Sequence, residues 1–127
     1  MTLEHVAINV QEPAKMAEWL VQHLGMRIIV ANPTAPYIHF VADDKGSMLE
    51  IYHNTSAPLP DYPNMSAFNL HLAFSSSHIE ADRDRMLAAG ATLVSDINTT
   101  PAGDKLVFLS DPWGVPFQFV QRMKPLL

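Results

Sequence analysis

The chain has 127 residues, enough for one compact domain with a core of its own, and its 48% hydrophobic content excludes a disordered chain. Eight Lys and Arg against thirteen Asp and Glu leave a net charge of −5, which repels nucleic-acid phosphates and anionic lipid headgroups, so neither nucleic acid nor membrane is an expected partner. With no cysteine there is no disulfide framework or thiolate metal site; with a strand-like start and no apolar run near the ~18 residues that span a bilayer, a cytoplasmic protein is expected.

Residues 3–10 (LEHVAINV) alternate apolar and polar positions and read as a first strand. Pro13 then suits an opening helical turn, Met16, Leu20 and Leu24 form an i, i+4, i+8 stripe with Trp19 beside it, and Gly25 supplies the stop. A strand over 26–31 precedes a hairpin over 38–52 (IHFVADDKGSMLEIY), whose two apolar runs flank an Asp-x-x-Gly turn. Residues 54–67, with Pro58, Pro60 and Pro63, read as a surface linker. A strand over 69–76 (NLHLAFSS) follows, then a helix opened by a Ser77/Glu80 capping box, with Ile79, Met86 and Leu87 on one face and Gly90 at its end. The chain closes with a strand over 91–96 and a second hairpin over 106–120 (LVFLSDPWGVPFQFV).

The two halves are copies. A shift of 68 superimposes Phe40 on Phe108, Asp43 on Asp111, Gly46 on Gly114 and Glu50 on Gln118, and shifts of 66 and 65 place His5 over His71 and Gly25 over Gly90. The reading is an α+β fold of two βαβββ modules, about 1–54 and 67–127, forming a curved mixed sheet cup with the helices on its outer face.

Alternation assigns the faces. Val6, Ile8, Val10, Ile38, Phe40, Leu49 and Ile51 are expected under the first helix, leaving His5, Ala7, Asn9, His39, Glu50 and Tyr52 on the opposite side. A four-residue loop over 43–46 sets His39 directly opposite Glu50. In the second copy Leu70, Leu72, Phe74, Phe117 and Phe119 go under the helix, and Asn69, His71, Ala73, Gln118 and Val120 oppose them. A single His or Glu on a strand is ordinarily a hydrogen-bonded or solvent-facing residue. Repetition at equivalent strands makes His5, Glu50, His71 and Gln118 a candidate set of metal ligands, suited to Zn, Ni, Fe, Mn or Co. His39 reads as a reserve base, His53 as structural, and His23 and His78 as solvated helix residues.

The segments LEHVAINV, MLEIY, FNLHLAF and DPWGVPFQF, in this repeated order over the entire chain, resemble the vicinal oxygen chelate superfamily of glyoxalases, bleomycin resistance proteins and dioxygenases. The resemblance implies chelation of adjacent substrate oxygens by a divalent metal acting as a Lewis acid. It places His5, Glu50 and His71 on three ligand positions of glyoxalase-type lyases and Gln118 on the fourth, where bacterial members usually hold Glu. An amide cannot accept a proton near neutral pH, and Asn9 stands where many such lyases bind the glutathione carboxylate with Arg. The expected function is thus a metal-dependent lyase or isomerase acting on a small substrate with vicinal oxygens. Its proton would move at Glu50, and its cavity would be shaped by Asn9, Tyr52, Asn69 and Phe108. The alternatives are a non-catalytic binder of the bleomycin-resistance kind, using Tyr37, Tyr52 and Trp113, and an Fe(II) ring-cleaving dioxygenase. A homodimer with sites shared between chains is expected from the open sheet edges and the long linker, with pairing of the modules within one chain as the alternative if the linker folds back.

Overall fold

A computed structural model describes residues 1–127 and divides them into two compact units, Met1–Pro60 and Asp61–Leu127. The first contains β1 (Val6–Asn9), α1 (Pro13–Leu24), β2 (Arg27–Ala31), β3 (His39–Ala42) and β4 (Met48–Tyr52). The second contains a 3-10 turn (Tyr62–Asn64), β5 (Leu72–Ser75), α2 (Ile79–Ala88), β6 (Thr92–Thr99), β7 (Lys105–Ser110) and β8 (Pro116–Gln121). The sheets run in the orders β1-β4-β3-β2 and β5-β8-β7-β6, each with its first strand parallel to its last and the other pairs antiparallel. This is the α+β fold of two β-α-β-β-β modules expected from the sequence. No helix is long and apolar enough to cross a membrane.

The first helix follows its sequence signals. Pro13 occupies its first turn, Met16, Ala17, Trp19 and Leu20 are buried, and Gly25 closes it in the left-handed conformation that only glycine adopts cheaply. The second departs from them. Helix α2 begins at Ile79, so Ser77 lies outside it and makes no capping bond. The Ile79 N–H donates instead to Oε1 of Gln121 on β8 at 3.0 Å, the His78 N–H donates to Ser76 Oγ, and Glu80 pairs with Lys105 of β7. Leu87, expected on the buried face, is 37% exposed; Ile79 and Met86, two turns apart, anchor the helix alone. Truncating one such fully buried side chain costs about 2–5 kcal/mol.

Both hairpins use one turn. Asp43 N–H donates to Ser47 O, Gly46 N–H to Asp43 O, and the Asp43 carboxylate accepts the N–H groups of Lys45 and Ser47. Asp111, Gly114, Trp113 and Val115 repeat every one of these bonds. Gly46 and Gly114 take φ of +94° and +86°, as expected for a three-residue loop closed by a glycine bulge. The loop is therefore one residue shorter than the four-residue loop read from the sequence, and the register moves by one. Phe40, not His39, stands opposite Glu50, and His39 pairs with Ile51. His39, Val41, Leu49 and Ile51 consequently share the buried face, while Phe40, Glu50 and Tyr52 share the other. In the second unit Val107, Leu109, Phe117 and Phe119 are buried, and Phe108 and Gln118 oppose each other across the sheet from them.

Within the second unit the 3-10 turn closes over the β7–β8 turn. Tyr62 is buried, and a Cβ built on Gly114 would lie 2.7 Å from Pro63 Cγ, whereas one built on Gly46 meets nothing within 4 Å. Residues 61–67, read as linker, thus belong to the second compact unit. We expect Gly46→Ala to cost about 1–2 kcal/mol, from its positive φ alone. Gly114→Ala should cost roughly 1–3 kcal/mol more, because Pro63 must also move. Urea unfolding of the two variants checks the difference.

The two turn aspartates also titrate differently. Burial pushes the Asp111 carboxyl up to about 6, against the lowering effect of its backbone N–H donors. At Asp43 desolvation also acts upward and is the largest single influence, yet the N–H donors of Ser47, Lys45 and Gly46 together outweigh it and hold the group below its usual value. Because Asp111 binds its proton more tightly in the folded state than in the unfolded chain, its contribution to stability is greatest in acid and is lost as pH rises from about 4 through about 6. Asp111→Asn keeps an acceptor oxygen and removes the titration. Unfolding free energies of wild type minus this variant should therefore fall across that window, and a flat difference curve would refute the assignment.

Candidate functional site

Each unit presents the same three-residue constellation on the sheet face opposite its helix. In the first, His5 immediately precedes β1, and its ring meets Phe40 edge-on at 5.3 Å and 88°. Phe40 in turn stands across from Glu50, whose Oε2 lies 3.3 Å from His5 Nε2. The second unit has His71 just before β5, edge-on to Phe108 at 5.2 Å and 86°, and Phe108 stands across from Gln118. Strand alternation explains the placement. Ala7 pairs with Glu50 and Ala73 with Gln118, so a histidine two residues before each alanine falls on the same face as the carboxylate or amide.

Both histidines are held through Nδ1. His71 Nδ1 lies 2.7 Å from Ala67 O, and His5 Nδ1 lies 3.1 Å from Glu4 Oε1. The Ala67 carbonyl can only accept, so in His71 Nδ1 carries hydrogen and Nε2 is the nitrogen presented to the sheet face. His5 stands between two carboxylates, Glu4 at Nδ1 and Glu50 at Nε2, and either can accept an N–H from its ring.

The remaining sequence candidates are placed as follows. Asn9 is committed within its unit: its amide donates to Asn54 O and Ala57 O and accepts the Asn54 N–H. Tyr52, its register partner, is half-buried on the Glu50 face, and Asn69 is exposed beside the His71 strand. His39 is 6% exposed on the opposite face from Glu50, with Nδ1 at 2.7 Å from Tyr37 O, which corrects the expectation that it stands across from Glu50. His53 is tied to Val10 O, His23 packs beside Trp19 and is half-buried, and His78 is exposed next to α2. No group of three or more His, Cys, Asp or Glu side chains in the chain is placed to hold a metal ion. Sequence reasoning missed Phe40, although its superposition on Phe108 carried the signal, and Phe68, which packs on Phe108 at 5.8 Å.

A family model described as the Glyoxalase/Bleomycin resistance protein/Dioxygenase superfamily matches residues 2–119. Among solved structures, the chain is similar to a glyoxalase family protein from Enterococcus faecalis, with 26% identity, a TM-score of 0.68, and 94% of this chain and 97% of that one covered. A glyoxalase family protein from Bacillus cereus is 15% identical with a TM-score of 0.81, covering 98% and 95%. TnmS3, an antibiotic binding protein from Streptomyces sp. CB03234, is 20% identical with a TM-score of 0.69, covering 95% and 98%. These last two likenesses are of fold alone. A comparison with curated proteins finds no match.

The anchoring of His71 is directly measurable. Long-range ¹H–¹⁵N spectra of the neutral imidazole should show the Nδ1–H tautomer, because Ala67 O can only accept. An Nε2–H tautomer would leave that carbonyl facing a lone pair and would contradict the geometry.

Proposed function

Because the chain belongs to the glyoxalase, bleomycin resistance protein and dioxygenase superfamily, we propose that it is a metal-dependent lyase or isomerase acting on a small substrate with adjacent oxygens. Members of this superfamily commonly bind divalent metals and small molecules and commonly form dimers. The observation that carries the reading is the pair of matched constellations, each setting an imidazole edge-on to a phenylalanine that stands across from a carboxylate or an amide. The donors fit the group: two imidazoles, one carboxylate and one amide oxygen suit Zn, Ni, Fe, Mn or Co. His5 and Glu50 hold it from one chain, and His71 and Gln118 from a second copy, so that two half-sites make one site. The sheet edges support such pairing, since β1, β2, β5 and β6 each end a sheet.

When bound, the metal supplies Lewis-acid stabilisation of negative charge on the vicinal oxygens. The chain's own work is positioning and proton transfer. Glu4 and the Ala67 carbonyl orient the two imidazoles. Glu50 is the proton-moving group: it is a carboxylate on the open face, and neither the Gln118 amide nor His39, turned to the buried face, can take that role. Phe40 and Phe108 wall the two half-sites with apolar rings.

A second reading, non-catalytic binding of a small molecule, is favoured by Gln118, which replaces a base with an amide, and agrees with the antibiotic-binding role named for TnmS3.

Metal content separates them. Glu50→Ala and His71→Ala should each lose most bound metal after growth in metal-replete medium, and Gln118→Ala less, an amide oxygen being the weaker ligand. Isolated heterodimers of Glu50→Ala with His71→Ala should recover about half the wild-type content, because one site then draws its native residues from both chains. Wild-type protein that binds no metal would favour the binder, and heterodimers that recover none would exclude the shared site.

A further inference from the structure

In the second unit a short arm of chain joins the β7–β8 turn to His71. Its first foothold is at that turn: Tyr62 is buried, and Pro63 fills the space where Gly114 has no Cβ, its Cγ 2.7 Å and its backbone nitrogen 2.9 Å from where a Cβ would lie. From there short-range hydrogen bonds carry the backbone forward. Asn64 N–H donates to Asp61 O and Met65 N–H to Tyr62 O, both at 3.1 Å; Phe68 N–H then donates to Ser66 Oγ at 3.2 Å and Asn69 N–H to Ser66 O at 2.9 Å. The Phe68 ring makes a second foothold on Phe108 of β7, at 5.8 Å. Between the two footholds in the chain lies Ala67, whose carbonyl accepts the His71 Nδ1–H at 2.7 Å.

The first unit shows what this arm adds. It repeats the turn, the glycine at positive φ and the histidine edge-on to a phenylalanine, yet a Cβ built on Gly46 meets nothing within 4 Å. His5 Nδ1 faces the exposed side chain of Glu4 and its Nε2 faces Glu50, so either nitrogen can carry the hydrogen. A carbonyl tied at both ends of its segment leaves His71 one choice.

We propose that Pro63 and Gly114 are positioning residues for His71: their contact holds the arm so that the Ala67 carbonyl keeps hydrogen on Nδ1. Hydrogen bonds weaken steeply as they lose alignment, so an arm displaced at Pro63 misaligns Ala67 O four residues on. What His71 then does with its other nitrogen rests on the metal reading; the choice of tautomer does not.

Long-range ¹H–¹⁵N spectra of the full chain, taken after chelation and at a pH where the imidazoles are neutral, read that choice directly. Gly114→Ala forces Pro63 off the turn, and the ratio of Nδ1–H to Nε2–H in His71 should fall about fivefold, the preference that one hydrogen bond supplies. Gly46→Ala imposes the same backbone strain with no neighbour to displace and should leave the ratio unchanged. Ile79→Val, which loosens the second unit at α2, should leave it unchanged as well. Should Gly114→Ala fail to fold, Pro63→Ala at its exposed position takes the ring off the turn and should move the ratio the same way by a smaller factor.

A ratio that neither arm variant changes overturns the proposal. So does an equal change in Ile79→Val, which would make the tautomer a report on general loosening. Wild-type protein that binds no metal, but whose tautomer ratio depends on Gly114, removes the metal reading and leaves the positioning role standing.

Discussion

The placement of both His–Phe–Glu/Gln constellations depends on a turn of three residues. Asp43 and Asp111 each gather two N–H groups onto one carboxylate, and a glycine at positive φ absorbs the bulge that closes the hairpin. Side chains alternate along a strand, so one residue more or less in that loop would exchange every inward side chain for an outward one. With three residues, Glu50 faces Phe40 and Gln118 faces Phe108, and the apolar positions between them close against the helices. The aspartate that sets the turn therefore also decides which side chains face away from the helix.

Duplication then does the rest. Two units built on one plan set a histidine before the first strand, a phenylalanine on the third and a carboxylate or amide on the fourth, with ring distances that agree within 0.1 Å. Their electrostatics have diverged. The first unit sets His5 between the Glu4 and Glu50 carboxylates; the second pairs a carbonyl-anchored imidazole with a neutral amide.

Much of this was legible in the amino-acid order. The repeat, the two helices, the Asp-x-x-Gly turns and the matched positions of His5, His71, Glu50 and Gln118 are local patterns, and local patterns are what a linear reading sees. The register of the first hairpin is not legible there, because it depends on the length of the loop. Apolar character assigned Phe40 to the core, although its alignment with Phe108 placed it on the open face; an aromatic ring is apolar enough for either. The same one-residue shift moves His39 from opposite Glu50 to opposite Ile51.

What the sequence by itself determined is the periodicity: which stretches become strands and helices, and that the chain makes its unit twice. What only the tertiary structure decided are contacts between residues far apart in the chain. Helix α2 is capped not by its own Ser77 but by Gln121 of β8, and Tyr62 and Pro63 leave the linker to close over the turn at Gly114. Asn9 spends its amide on Asn54 and Ala57 rather than on a ligand, and Phe68 is held outward against Phe108. The reason is physical. Propensity and alternation act between neighbours a few residues apart, whereas a buried N–H or an exposed ring finds its partner only after packing has brought distant segments within hydrogen-bonding or van der Waals distance.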